Sequence, residues 1–430
     1  MPDVENLHKP HIPQTPGAID RHGLLAQLRG ALDHKLTVIS APPGYGKTTA
    51  VSQLAKRVPC PVIWHTVEER ERDVPNLYAH ALSAVEQIAP GLPTAAETRD
   101  YTPAELAAFF ADYLRDAASE PFAYVLDDVQ HLAGSLAAEA WLRRLVALLP
   151  SNCHLILVSR VLPRLPYAEM LARSEVLAFG QRELRFSTEE ATQLASQMLG
   201  SSLPDASIAG LVDRLEGWPA GIVLALQPLP ADLERAMLGG GEGPEAMFDQ
   251  LAVSMLNAQS PALRDFLLAS STLRRLTPEI CTLALGLHDS AARLAEAQAR
   301  NLFLSRVSGG LVYHQLFRGF LQQQLRTLDP ARFLDLHAQA ARWLEAEGDV
   351  EGAFEHYIDA GMHPRAAALA ERVAAAYFSQ GKTETLLNWS QRLRPLGAPA
   401  PRLAYMCARV HIDRYNYEAA TAELDAAEAE

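Results

Sequence analysis

The sequence has 430 residues, 49% of them hydrophobic and 21% charged, with a formal net charge of −13. That length exceeds one ordinary domain, the apolar fraction leaves no room for extensive disorder, and the acidity argues against a chain that mainly coats nucleic acid or an anionic membrane. The four cysteines (Cys60, Cys153, Cys281, Cys407) form no CxxC pair, so neither a zinc site nor a disulfide framework is indicated, and buried thiols in a reducing, cytoplasmic setting are expected. The first residues carry no apolar h-region, and no apolar run approaches the ~20 residues of a membrane span.

After a Pro- and His-rich arm over 1–18, residues 24–32 carry a short helical pattern. Five apolar, β-branched runs follow: LTVIS (36–40), VIWHT (62–66), FAYVL (122–126), LILVS (155–159) and VLAF (176–179). Helical patterns separate the first four, and buried strands alternating with helices predict a parallel α/β sheet. The charged stretch ERERD (69–73) reads as a solvated loop. STEEATQLASQML opens with a capping box, Ser187 as N-cap and Glu190 three residues on. Residues 206–217 and 219–227 read as helices beside the sheet. Pro228, Pro230, Gly239, Gly240, Gly241, Gly243 and Pro244 then break the pattern and mark a domain boundary.

Beyond it, helices open at Ser260-Pro261 and Thr277-Pro278, each a cap followed by proline at the first helical position. A third covers DSAARLAEAQARNL, and two strand-like runs then flank Ser308-Gly309-Gly310, a hairpin signal. Helices followed by a hairpin predict a winged-helix-like unit. On the helix before the hairpin, Arg293 and Arg300 are balanced by Asp289 and Glu296, a poor surface for tracking phosphates, which argues against direct DNA contact there. From about residue 331 the pattern is helix after helix, rich in Ala and Leu. The last pair, turning at Arg414 to Asn416, has tetratricopeptide-like spacing. The array stops after about one such unit, so the sequence is expected to be the front part of a longer protein. The expected division is a P-loop domain with a helical extension over 1–238, a winged helix over 245–330, a helical domain over 331–398 and the first sensor repeats over 399–430.

SAPPGYGKTTA (40–50) lies between a strand and a helix-compatible stretch and fits the Walker A pattern, with Ala41 where the first glycine usually stands. Pro43, Gly44, Tyr45, Gly46, Lys47, Thr48 and Thr49 make up the nucleotide-binding loop. Backbone N–H groups of Gly44 through Thr49 can wrap a β-phosphate at a helix N-terminus. Lys47 reaches the β- and γ-oxygens, and the Thr48 hydroxyl ligates Mg²⁺. A side chain at 44 or 46 would fill the phosphate's place. FAYVLDDVQHL supplies the acidic partners: Asp127 to hold Mg²⁺ through water, and Asp128, with Lys47, for catalysis by orienting the attacking water. LILVSR ends a strand with Arg160 at the edge that borders a nucleotide crevice, where a planar, permanent charge can read a γ-phosphate.

These motifs, with what lies between them, resemble the MalT-like ATP-dependent LuxR-type transcriptional activators, P-loop NTPases of the STAND class that also includes NACHT and NB-ARC proteins. The matching phrases are SAPPGYGKTTAVSQLA, VIWHTVEERERDVPNLYAHALSAV, YVLDDVQHL, LILVSRVLPRLPYAEMLARSEVLAFGQRELRFSTEEA, EGWPAGIVLAL and YHQLFRGFLQQQL, in order across nearly the whole chain. The resemblance implies an α/β P-loop NTPase with a parallel sheet, followed by a winged-helix domain and an α-helical, TPR-like repeat region. It implies that Pro219 of GWPAG lies against adenine, that Ile19 and Arg21 border it, and that His314 faces the phosphates from the winged helix. His22-Gly23 departs from the charged pair common in the family. ATP/ADP and Mg²⁺ are the implied ligands, with slow regulatory hydrolysis. ADP would lock a monomeric off state. ATP, with a small-molecule inducer at the helical sensor, would give a self-associating on state, and an inhibitory protein is a further implied partner. DNA contact is assigned to a C-terminal helix-turn-helix that these 430 residues do not contain, and no membrane partner is implied. A NACHT-like NTPase of non-transcriptional output and a P-loop small-molecule kinase remain open alternatives. The kinase would need an Arg-rich lid and has no use for a winged helix.

Overall fold

The computed structural model describes residues 12–15, 17–86, 101–117, 120–199, 204–226, 249, 252–253, 255–300, 302–307 and 309–429. The boundary expected at Pro228 to Pro244 lies outside them, as do most of the N-terminal arm and Ser308 of the hairpin turn.

The five apolar runs form one parallel sheet: β1 (Leu36–Ser40), β2 (Val62–Thr66), β3 (Phe122–Asp127), β4 (Cys153–Ser159) and β5 (Val176–Phe179), in the order β2-β3-β4-β1-β5. Leu36 stands opposite Leu155 on β4 and Val176 on β5, and β3 pairs Leu126 with His65 and Leu157. Side chains alternate across the pleat. Phe122, Tyr124 and Leu126 enter one apolar cluster, and Ala123 and Val125 enter the other.

The helices of this first unit are α1 (His22–Leu28), α2 (Lys47–Ala55), α3 (Val74–Val85), α4 (Pro103–Ala117), α5 (Leu136–Leu148), α6 (Tyr167–Ala172), α7 (Gln181–Leu184), α8 (Thr188–Leu199), α9 (Asp205–Arg214) and α10 (Pro219–Ala225). Helices α3, α4 and α5 cover one face of the sheet, where Phe110 and Trp141 pack at 5.7 Å; α1, α2 and α8 to α10 cover the other. The helix expected over 24–32 stops being α-helical at Leu28 and tightens into a 3₁₀ turn over Arg29–Asp33. Gly30 is a poor helix former, and its carbonyl takes a 2.8 Å bond with the His34 ring instead of continuing the ladder. The Ser187–Glu190 capping box forms: Glu190 N donates to Ser187 Oγ at 3.1 Å and Ser187 N to Glu190 Oε2 at 3.0 Å.

A second unit holds α11 (Pro261–Ser270), α12 (Pro278–Leu285), α13 (Ser290–Ala299), the antiparallel pair β6 (Leu304–Val307) and β7 (Gly310–Tyr313), and α14 (Gln315–Leu328). Ser260 and Thr277 cap α11 and α12 through Leu263 N and Ile280 N, at 3.3 and 3.1 Å. Arg293 of α13 and Arg300, just past its end, both pair with Glu296, at 2.9 and 3.1 Å. Leu263, Phe266, Phe317 and Leu321 of this unit belong to the same apolar cluster as Ile39, Val125 and Val158 of the sheet, so the two units share a core.

An array of α15 (Pro330–Glu347), α16 (Val350–Asp359), α17 (His363–Ser379), α18 (Thr383–Leu393), α19 (Pro401–Asp413) and α20 (Tyr417–Ala429) completes the chain. It has its own cluster, in which Phe354 stacks on Trp389 at 4.3 Å.

Residues 69–73, expected as a solvated charged loop, are partly interior: Glu71 is fully buried and Asp73 is 1% exposed. The Tyr124 hydroxyl lies 2.9 Å from His65 Nδ1, His65 Nε2 lies 2.7 Å from Glu71 Oε2, and His80 Nδ1 lies 2.9 Å from Glu71 Oε1. A buried phenol donates its proton, which puts the His65 proton on Nε2 and lets the carboxylate accept from both rings. Burial pushes Glu71 up, but the His65 and His80 contacts more than offset it and hold the group down to about 2. Asp73 reaches into the helical array. It accepts from Glu384 N (2.8 Å), Thr385 N (3.3 Å) and Thr385 Oγ1 (2.5 Å) in the first turn of α18, whose own flanking residue Lys382 makes no capping bond. Beside it, a Cβ at Gly381 would come within 3.1 Å of Pro75. The carboxylate thus caps a helix 311 residues away.

Asp73→Ala is expected to lower the unfolding free energy by about 1–2 kcal/mol, the scale of a lost N-cap, measured by urea unfolding. Burial raises Asp73 to about 7 against the Thr385 and Glu384 contacts. A folded value above the unfolded one, near 4, makes its stability contribution greatest in acid and progressively lost as pH rises toward 7. The stability difference between the parent and Asp73→Asn should therefore fall from pH 4 to 7 and flatten above, in denaturation titrations at each pH.

Candidate functional site

The loop between β1 and α2 turns twice through the left-handed region, at Gly44 (φ +81°) and Gly46 (φ +72°), conformations that favour glycine. Helix α2 opens at Gly46 with no side-chain cap, so its first-turn N–H groups and the positive end of its dipole are available to an anion. Thr48 and Thr49 lie in that first turn. At Gly46 a Cβ would meet open space. Gly44 differs from expectation. A side chain there would strike protein: a Cβ would stand 2.7 Å from Trp218 Nε1, 2.8 Å from Ala220 Cβ and 3.1 Å from Leu316 Cδ1. Trp218 Nε1 donates to Pro43 O at 3.2 Å and Ala220 N to Gly44 O at 3.0 Å, tying GWPAG to the loop. Pro219 lies between these contacts, buried at the first position of α10. Tyr45 turns inward, and its hydroxyl accepts from Gln181 Nε2 of α7 at 2.6 Å.

Lys47 is buried, and its Nζ donates to Ala41 O (2.7 Å) and Pro42 O (3.0 Å). Burial and the nearby Arg160 guanidinium draw it down to about 8, with Asp128 and Asp127 opposing. Thr48 Oγ1 donates to Asp127 Oδ1 at 3.2 Å, joining α2 to the end of β3. Burial, and then the neighbouring Asp128, raise the Asp127 carboxyl well above the usual range. Two adjacent hard oxygens, one on a buried carboxyl short of compensating charge, fit a magnesium ion.

Asp128 itself has a left-handed backbone (φ +59°), and its N–H donates to Asp127 Oδ1 at 2.9 Å. Its own Oδ1 accepts from Gln130 Nε2 at 2.7 Å and stands 3.7 Å from the Arg160 guanidinium. Gln130 Oε1 in turn accepts from Arg160 N at 3.0 Å. Gln130 carries no motif signal, and only the fold shows its position. From the second unit, His314 at the start of α14 has a buried Nδ1 without a hydrogen-bond partner. Burial, then the Lys47 and Arg160 cations, hold this imidazole down to about 4, with Asp128 opposing. Lys47, Asp128, Arg160 and His314 are thus close enough to feel one another's charge, although β4 separates β1 from β3.

Ile19 and Arg21 are held in the protein interior beside α1. Ile19 is in the core, and its carbonyl accepts from Gln53 Nε2 at 2.8 Å. The buried Arg21 pairs with the half-buried Glu190 (2.8 and 3.1 Å), donates to Leu184 O (2.9 Å) and Arg185 O (2.7 Å), and lies 4.9 Å from the centre of the Phe186 ring. Its guanidinium is committed to protein acceptors that fasten α1 to α7 and α8.

Residues 31–164 match the AAA domain family, and residues 252–333 match the MalT winged helix domain. The chain joins an AAA domain to a MalT winged helix domain. Its structure is similar to that of a signal transduction ATPase with numerous domains (STAND) protein with a tetratricopeptide repeat sensor from Pyrococcus horikoshii, at 14% identity and a TM-score of 0.66, over 99% of this chain and 60% of that one. The chain thus spans 60% of that protein's length, and the likeness is one of fold. A Walker-type ATPase of Pyrococcus abyssi (16% identity, 70% of this chain, 95% of that one, TM-score 0.35) is more distant. So is a RuvB variant of Thermotoga maritima (14% identity, 74% of this chain, 98% of that one, TM-score 0.30). The MalT winged helix domain contributes His314 and Leu316 beside the phosphate loop of the AAA domain. Among the described residues, no helix is long and apolar enough to cross a membrane.

Removing the guanidinium strands the Leu184 and Arg185 carbonyls and leaves the half-buried Glu190 carboxylate short of a partner, so Arg21→Ala should cost about 1–3 kcal/mol of stability in urea unfolding. A loss of nucleotide affinity with stability intact would instead place the role of Arg21 at the ligand.

Proposed function

We propose that the chain is an ATP/ADP-dependent switch of the MalT-like LuxR-type transcriptional regulators, in which the winged helix clamps the nucleotide domain. The observation that carries this reading is His314. A buried ring nitrogen without a partner is costly unless something supplies one, and this one comes from the second unit into the charge environment of Lys47, Arg160 and Asp128. A phosphate group held at the start of α2 supplies both an acceptor and the missing negative charge.

In this reading the α2 amides and Lys47 hold the β-phosphate, with Pro43, Gly44 and Tyr45 shaping the loop. Thr48 and Asp127 hold magnesium, which neutralises phosphate charge when bound. Asp128 orients the attacking water, and Arg160 reads the γ-phosphate. Pro219, Ile19 and Arg21 border the adenine, the last by fixing the surrounding helices. ADP stabilises the closed form through His314. ATP lacks that preference, and an inducer at the helical array biases the same equilibrium toward an open, self-associating form. Hydrolysis resets the switch slowly. The division at 1–238, 245–330, 331–398 and 399–430 belongs to this proposal, as does a transcriptional output with DNA engaged elsewhere than α13, where Arg293 and the adjoining Arg300 are already paired with Glu296.

The test is nucleotide content of the purified chain and its size-exclusion profile in ADP and in ATP. Lys47→Ala should purify without nucleotide, and full retention would overturn the reading. His314→Ala should weaken ADP binding about tenfold, the scale of one charge-assisted hydrogen bond, and ATP binding less than about threefold, by calorimetric titration.

A further inference from the structure

Gln130 lies in the 3₁₀ turn Val129–Leu132, immediately after the acidic pair. Its amide orientation is fixed by its partners. The Arg160 backbone N–H can only donate, so the side-chain oxygen faces it at 3.0 Å, with Ser159 Oγ at 3.5 Å, and the NH₂ group faces Asp128 Oδ1 at 2.7 Å. One side chain therefore ties the end of β3 to the end of β4.

The same Asp128 Oδ1 stands 3.7 Å from the Arg160 guanidinium. An aspartate and an arginine on neighbouring strand ends, left alone, close into a charge-assisted contact of about 2.8 Å. Here the Gln130 amide draws that carboxylate oxygen toward its own side at 2.7 Å, and the backbone from which the arginine side chain starts is anchored by the other end of that amide, so neither group is free to swing toward the other.

We propose that Gln130 is a positioning residue that holds Asp128 off Arg160, leaving the guanidinium for a γ-phosphate and the carboxylate for the attacking water. The inference rests on the nucleotide-switch reading and deepens it: Gln130 sets how well the site distinguishes a triphosphate from a diphosphate. Without it, Asp128 captures Arg160. The diphosphate, which has no γ-phosphate for Arg160 to read, is bound as before.

Gln130→Met keeps the side-chain length and removes the hydrogen bonds at both ends of the amide. In calorimetric titrations of the 430-residue chain with magnesium, affinity for AMP-PNP should fall about tenfold while ADP affinity stays within about twofold. In the Asp128→Asn, Gln130→Met double variant the uncharged partner no longer captures Arg160. AMP-PNP affinity should return to within about threefold of Asp128→Asn alone, although turnover stays lost. Should Gln130→Met fail to fold, Gln130→Glu keeps the acceptor facing Arg160 N, repels Asp128 and should show the same selective loss. Equal loss of both nucleotides, unchanged discrimination, or no rescue in the double variant would each overturn the proposal. A parent chain that binds ADP and AMP-PNP leaves the switch reading standing in those cases; a parent that binds neither removes that reading and this inference together.

Discussion

The closeness of three segments at Gly44 is the constraint on which the rest of the structure depends. The phosphate loop, the GWPAG turn and α14 converge on the space a single Cβ would occupy, and two hydrogen bonds from Trp218 and Ala220 fix the loop carbonyls to that junction. Because the loop is pinned from its protein side, its amides keep one arrangement on the other side, as preorganised anion binding requires. The same contact brings Leu316 and, two residues earlier, His314 to the site, so packing of the second unit and the electrostatics of the crevice share one cause.

Sheet order does the remaining positioning. With β4 between β1 and β3, Arg160 leaves the sheet between the strand that feeds the lysine and the strand that leads into the two aspartates. Two cations therefore stand side by side next to two carboxylates, and the effects on Lys47, Asp127 and His314 all follow from burial followed by these neighbours. Gln130 and the left-handed turn at Asp128 keep the Asp128–Arg160 edge of this array from collapsing into a simple ion pair.

The sheet, the phosphate loop and the helix caps were legible in the sequence because each is a local signal: a short apolar run, a glycine spacing, Ser or Thr followed by proline. Strand ends moved by a residue or two, with β3 running through Asp127 and β4 beginning at Cys153. What the sequence concealed is what depends on a distant partner. Glu71 and Asp73 look like any solvated charges until His65, His80 and the start of α18 are in place around them. Gly44 was readable as a required glycine, but the reason lies in residues 174 and more positions away along the chain. Gln130 offered no signal, since a lone amide acquires meaning only from what its two ends touch.

The apolar cluster shared between the sheet and the second unit carries a consequence for any motion of that unit. Phe317 and Leu321 lie in one continuous interior with Ile39 and Val158. Swinging the unit outward would wet the apolar surface the two now share, at a cost proportional to the area uncovered. An opened molecule is therefore short-lived on its own and persists only if fresh cover is found for what it lays bare.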